Sequence, residues 1–228
     1  PVRSPGSLVR GNANVIAATL ATLAEFPDRQ LLGEDVIWCG NARDGFLSSH
    51  RIMSLATHTQ DGLYGKATGR TLTYRVIADC AARENKIFDE WLVRDQGAIV
   101  RQMGWEPKSY AADLIAREGG PERCTRPFTP DIDINGGYSS RGNNDPTGAR
   151  YADLLTRIMR ADIAVIGAEY DRAVQSELPG GITGHGISAV DRFWLGLRAS
   201  LPDATFELHH IIGRDDQGMP PRAAIRWS

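Results

Sequence analysis

The chain has 228 residues, 42% of them hydrophobic and 24% charged, with a formal net charge of −2. Such values belong to a globular protein with a proper core and exclude a disordered or fibrous chain. A nearly neutral chain offers no electrostatic footprint for a nucleic-acid backbone, and no apolar run approaches the roughly 20 residues that span a bilayer, so neither nucleic acid nor membrane is expected as a partner.

From Asn12 to Phe26 the apolar residues Val15, Ile16, Leu20, Leu23 and Phe26 recur at spacings of three and four, which predicts a helix that Pro27 stops. The segments DVIWC, SSHRIMSLAT, RTLTYRVIADC and KIFDEWLV are rich in β-branched and aromatic residues and are separated by Gly, Asn and Asp turn signals. They read as antiparallel strands joined by hairpins. DQGAIVRQMG and SYAADLIAREGG read as short helices that end in glycine. Residues 119–148 are rich in Pro, Gly, Asn and Ser, with little apolar periodicity, and read as a linker or a long ordered loop. Beyond them Asp145-Pro146 is an N-cap and first-turn proline for one helix through ARYADLLTRIMRADIAVIGAEYD. A loop LPGGITGHG, with His185 in it, a helix ISAVDRFWLGLRASL, and strands to Ser228 complete the chain.

The chain also repeats its own plan. Pro202-Asp203 follows Pro27-Asp28 by 175 positions, and the same offset sets Gly186 on Gly11, Val190 on Val15, Phe206 on Leu31 and Ile211-Ile212 on Val36-Ile37. The register slips by one where HRIMS meets AIRWS. A single recurrence is too little for a solenoid, so two related units are expected: 11–116, a linker 117–148, and 149–228, the second lacking the late sheet of the first. Position 1 is Pro rather than Met, which suggests a piece of a longer product. The N-terminal stretch has no apolar signal core, and three widely spaced cysteines (Cys39, Cys80, Cys124) give neither a disulfide framework nor a metal knuckle. A cytoplasmic location is the expectation.

The order of helix, Phe26-Pro27-Asp28, strand, His58, Gly62, Gly65-Lys66-Ala67-Thr68-Gly69-Arg70, a long strand, Ile87, Glu90-Trp91, Asp95 and a helix ending in RQMG resembles the SnoaL-like polyketide cyclases of the nuclear transport factor two-like superfamily. The second unit matches through GISAVDRFWLGLRASLPDATFEL and AIRWS. The resemblance implies an α+β fold in which a strongly curved antiparallel sheet packs on helices and leaves an apolar cone for a small hydrophobic molecule. It also implies cofactor-free ring closure by a pocketed carboxylate acting as base and then acid, no metal, and a homodimer or intrachain pseudo-dimer. The family carries its carboxylate directly after the EW tryptophan and a histidine on the preceding long strand, and those positions are Leu92 and Ala78 here. Neither accepts a proton.

Two readings follow. In one, a cyclase or isomerase uses relocated groups: His50 and His58 as acid/base candidates, and Glu90 with Arg94, which share the strand face of Leu92. Asp79 and Asp95 are out of phase with that face. Alternatively, the chain is a binding or dimerisation domain that has lost its proton-handling groups. A third possibility places the acid/base pair in the unseen late sheet of the second unit. Trp38, Tyr74, Ala78, Trp91, Leu92, Trp194 and Trp227 are the expected ligand-lining residues. Adjacent His209 and His210 point to opposite faces and are not a metal pair.

Overall fold

The structure is a computed structural model describing residues 1–228. It is α+β, with a mixed six-stranded sheet, two two-stranded sheets and six α-helices. The elements in chain order are β1 (Val2–Ser4), β2 (Ser7–Val9), α1 (Asn12–Glu25), β3 (Gln30–Asn41), β4 (Gly45–Thr57), β5 (Thr71–Arg83), β6 (Lys86–Arg94), α2 (Gln96–Gln102) and α3 (Pro107–Arg117). They are followed by α4 (Pro146–Met159), α5 (Ala164–Glu169), β7 (Gln175–Leu178), β8 (Ile182–His185), α6 (Ile187–Ser200), β9 (Leu208–Arg214) and β10 (Arg222–Trp227). None of the helices is long and apolar enough to cross a membrane. Two compact units emerge: unit 1 holds 1–36, 48–138 and 179–181, and unit 2 holds 37–47, 139–178 and 182–228.

In unit 1 the helix α1 ends at Phe26, because the ring of Pro27 bars another turn. The Asp28 carboxylate then accepts the Thr57 N–H at 2.7 Å, tying the helix exit to the end of β4, and the Thr57 hydroxyl and N–H together hold the Asp28 carboxyl below its usual range. The sheet order is β2-β1-β6-β5-β4-β3. β5 and β6 form a hairpin whose turn, Glu84-Asn85, has both residues at positive φ (49° and 62°), the primed geometry that suits strand twist. The helix α2 packs on β5, and Phe26, Tyr64, Leu72, Tyr74, Val76, Ile99 and Met103 form the core between them. Asp95 caps α2 by accepting the Ala98 N–H at 2.9 Å, and also accepts the N–H groups of Gly180 and Gly181.

A buried cation closes the other edge of the sheet. β1 lies parallel to β6, with Arg3 beside Trp91. Arg3, 4% exposed, pairs with Asp89, 1% exposed, and with Asp133 at 2.6 Å, and donates to the Ile134 carbonyl at 2.7 Å. Gly136 lies so close that a Cβ there would fall 1.9 Å from the Asp89 carboxylate. Residues 133–138 are therefore an ordered strap, held by charge and by the packing of Tyr138 on Trp91.

In unit 2, Asp145 accepts the Thr147 N–H and Pro146 takes the first turn of α4, as the sequence predicts. The single helix expected through residue 171 is instead two. Ala161 turns to φ 68° and Asp162 pairs back with Arg157 at 2.8 Å, so the chain leaves the helix after Met159 and re-enters it at Ala164. Leu155, Ile158, Val165, Ile166, Val190 and Trp194 form the core. The 141–143 segment runs beside β9, where Gly142, at φ 113°, approaches the Ile211 carbonyl so closely that a Cβ would sit 1.7 Å from it. His210 is buried there, and burial together with Arg226 lowers its pKa to about 4.

The helices α1 and α6 are alike in length and in their ends. Both have 14 residues, start after a glycine at positive φ (Gly11 79°, Gly186 75°) and end on a residue that is neither helical nor extended (Phe26 φ −127°, ψ 73°; Leu201 φ −133°, ψ 65°). Each is preceded by a short hairpin, β1–β2 or β7–β8, which the sequence reading missed. Strands of three or four residues are too short for alternation to register.

The Arg3 clamp makes a direct prediction. Arg3→Met leaves Asp89 buried and unpaired, and should cost about 3–5 kcal/mol in urea unfolding. The same variant should speed protease cleavage between 125 and 138. Unchanged stability and cleavage would show that the strap is held by something else.

Candidate functional site

Strand alternation decides which side chains meet. Ile52 and Ala56 of β4, Leu72, Tyr74 and Val76 of β5, and Leu92 of β6 all pack in or against the core of unit 1, so even-numbered positions of these strands face inward. The β5–β6 ladder pairs Val76 with Arg94, Ala78 with Leu92, and Cys80 with Glu90. Between β4 and β5, the hydroxyls of Thr57 and Thr71 meet at one end, and Ser48 Oγ reaches the Cys80 carbonyl at the other. Both ends give the same antiparallel register, which sets His50 opposite Ala78.

The inner face thus carries three rows: Ser48, Cys80, Glu90; His50, Ala78, Leu92; and Ile52, Val76, Arg94. A histidine does stand in the row of Ala78 and Leu92, one strand over from where the family resemblance puts it. Its Nε2 lies 2.8 Å from Ser48 Oγ. Burial raises the Glu90 carboxyl above its ordinary value. Burial, with Glu90 and Asp79 adding, pushes the Cys80 thiol up to about 12, so it stays protonated and unreactive. Arg94 lies beside the Tyr64 hydroxyl, which burial holds above its ordinary pKa against the pull of that guanidinium. The same hydroxyl donates to Gln96 Oε1. Arg94 Nε is buried without a hydrogen-bond partner.

His58 is placed differently. It is fully buried, and Thr68 donates its N–H to Nδ1 at 3.3 Å, which leaves the proton on Nε2 for Glu25 Oε1 at 3.1 Å. Glu25, 3% exposed, also accepts the N–H groups of Leu63 at 3.0 Å and Tyr64 at 2.9 Å. Gly62 leaves room for that carboxylate, since a Cβ would come within 2.4 Å of it. Both ring nitrogens are engaged, and the pair holds the 58–70 loop to the end of α1. Glu25 escaped the sequence reading because its partners lie 33 to 39 positions away, and only an acidic residue at the last turn of an apolar helix pointed to it.

The expected lining residues separate. Tyr74, Ala78 and Leu92 are on the inner face, whereas Trp91 is on the opposite face, against Arg3 (4.7 Å) and Tyr138 (6.0 Å). Trp38, Trp194 and Trp227 belong to unit 2. There Arg214 covers Trp38 at 4.5 Å, and Trp194 packs with Trp227 at 6.3 Å. Unit 1 also has an open cleft of about 730 Å³, walled by Tyr64, Trp105, Tyr110, Glu106 and Arg117 among others, in which Trp105 and Tyr110 stack at 5.3 Å.

No family model and no curated protein matches the chain. Among solved structures, AclR from Streptomyces galilaeus, described as a candidate hydroxylase, is similar at 20% identity and TM-score 0.40, covering 46% of this chain and 75% of its own. IdmH from Streptomyces antibioticus, described as a candidate polyketide cyclase, gives 21% and 0.39, covering 45% and 77%. A candidate SnoaL-like polyketide cyclase from a Jannaschia species gives 12% and 0.41, covering 46% and 71%. The likeness is loose and assigns neither substrate nor reaction.

Glu25→Ala should leave three donors without their acceptor, those of His58 and Tyr64 buried and that of Leu63 part-buried, and destabilise unit 1 by about 3 kcal/mol in denaturant unfolding. Amide exchange at Leu63 and Tyr64 should rise with it. Retained stability would show that the 58–70 loop is anchored elsewhere.

Proposed function

We propose that unit 1 takes a small hydrophobic carbonyl compound against its inner face and moves a proton at the carbon beside the carbonyl, without a cofactor, in the manner of a polyketide cyclase. The observation that carries this reading is the placement of His50 in the row of Ala78 and Leu92, with Glu90 one row away. Glu90, as carboxylate, removes the proton while the electron pair passes to the carbonyl oxygen. The resulting acid returns the proton to carbon, or to the alkoxide that a ring closure creates. A carboxyl with a raised pKa suits both halves. His50, oriented by Ser48, is the second proton-handling group. The matched ends of α1 and α6 support reading the chain as tandem copies of one plan, with the cone-shaped cavity of that plan as the binding space.

The replacement of both family proton carriers by Leu92 and Ala78 favours a second reading, a ligand-holding domain without chemistry. Proton NMR of ethyl benzoylacetate in heavy water separates the two. The enzyme reading expects exchange of the hydrogens beside the carbonyl above the buffer rate, rising with pH as Glu90 ionises, and falling at least tenfold in both His50→Ala and Glu90→Gln. Binding shifts without exchange would overturn it in favour of the second reading.

A further inference from the structure

We infer that Arg94 is an anion anchor, and that the molecules taken by the inner face are apolar keto acids whose carboxylate sits on its guanidinium. This rests on the reading of the inner face as a ligand site and narrows the class of ligand.

The inference comes from counting charges on that face. Arg94 points inward beside Tyr64 and opposite Val76, half-buried, and it forms no ion pair. A guanidinium carries five N–H donors, and here Nε is buried without an acceptor. The acceptor beside it, the Tyr64 hydroxyl, is shared with Gln96, toward which it donates its proton.

The neighbouring acids are unavailable. Asp95, next in sequence, is consumed by the N–H groups of Ala98, Gly180 and Gly181. Glu90 is four residues back on the same strand, roughly 13 Å along it. Cys80 stays protonated and His50 brings no negative charge. A cation held against an apolar core without a counter-charge is costly, and a carboxylate presents two oxygens that match the guanidinium fork.

The rows set the rest of the ligand. The Ala78–Leu92 row, which includes His50, lies one side-chain repeat from Arg94, roughly 7 Å, and Glu90 lies one repeat further. A carboxylate on Arg94 therefore places an apolar body over Ala78 and Leu92. A carbonyl a few bonds from the carboxylate comes within reach of the extended Glu90 side chain.

The test uses 4-(2-naphthyl)-4-oxobutanoate and its primary amide, which differ in charge but little in shape, titrated into the whole chain by calorimetry and by NMR. Wild type should bind the acid at least about tenfold more tightly than the amide. Arg94→Met should erase that preference, Arg94→Lys should keep part of it, and the Arg94 Nε–H resonance should move further with the acid than with the amide. Equal affinities in wild type, or a preference that survives Arg94→Met, would overturn the anchor and leave the ligand site standing. If neither compound binds, the anchor and the inner-face reading both fall. Should Arg94→Met not fold by thermal melting, the Lys variant and the Nε–H resonance decide.

Discussion

The register of β4, β5 and β6 is the constraint on which the candidate site depends. In a sheet with period-two side chains, a slip of one residue sends every side chain of a strand to the other face. With Thr57 meeting Thr71 and Ser48 reaching Cys80, the ladder brings His50, Glu90 and Arg94 to the core side, where Tyr74 and Val76 are buried. A slip in β4 would send His50 outward and leave Ala78 and Leu92 with no ionisable neighbour in their row.

Three carboxylates hold that register in place, Glu25 and Asp89 buried and Asp28 exposed. Glu25 fastens the 58–70 loop, which connects β4 to β5, through His58, Leu63 and Tyr64. Asp28 fastens the end of β4 through Thr57. Asp89 fastens β6 through Arg3 to the N-terminal strand and the 133–138 strap. Each is satisfied by charge or by hydrogen-bond donors, as burial requires of Glu25 and Asp89. Glu90 is the exception among the acids near the core: it is half-buried, has no cation at its side chain, and is held toward its protonated form. That contrast separates acids that build the fold from one that forms no ion pair.

Much of this was legible in sequence. The stop at Pro27, the long alternating strands β5 and β6, and the Asp145-Pro146 helix start rest on local chemistry, which travels with a few adjacent residues. The shared face of Leu92, Glu90 and Arg94 follows from counting by two along one strand. What could not be read joins distant positions. The 58–70 loop fixes which β4 residue faces Ala78, and nothing local encodes its length in space, so His50 was a candidate without a location. Arg3 lies 86 positions from Asp89, in a stretch too short to show a pattern. Sequence places Trp91, next to Leu92, among the expected lining residues, and alternation along β6 turns it to the other face, against Arg3 and Tyr138.

The central claim is the row of His50, Ala78 and Leu92, and nuclear Overhauser contacts to the Ala78 methyl test it most directly. In a methyl-labelled sample, that methyl should show contacts both to the His50 ring and to the Leu92 methyl groups. If His50 instead contacts Ile77, or the Ala78 methyl sees Leu92 without His50, the register is different and the inner face loses its histidine.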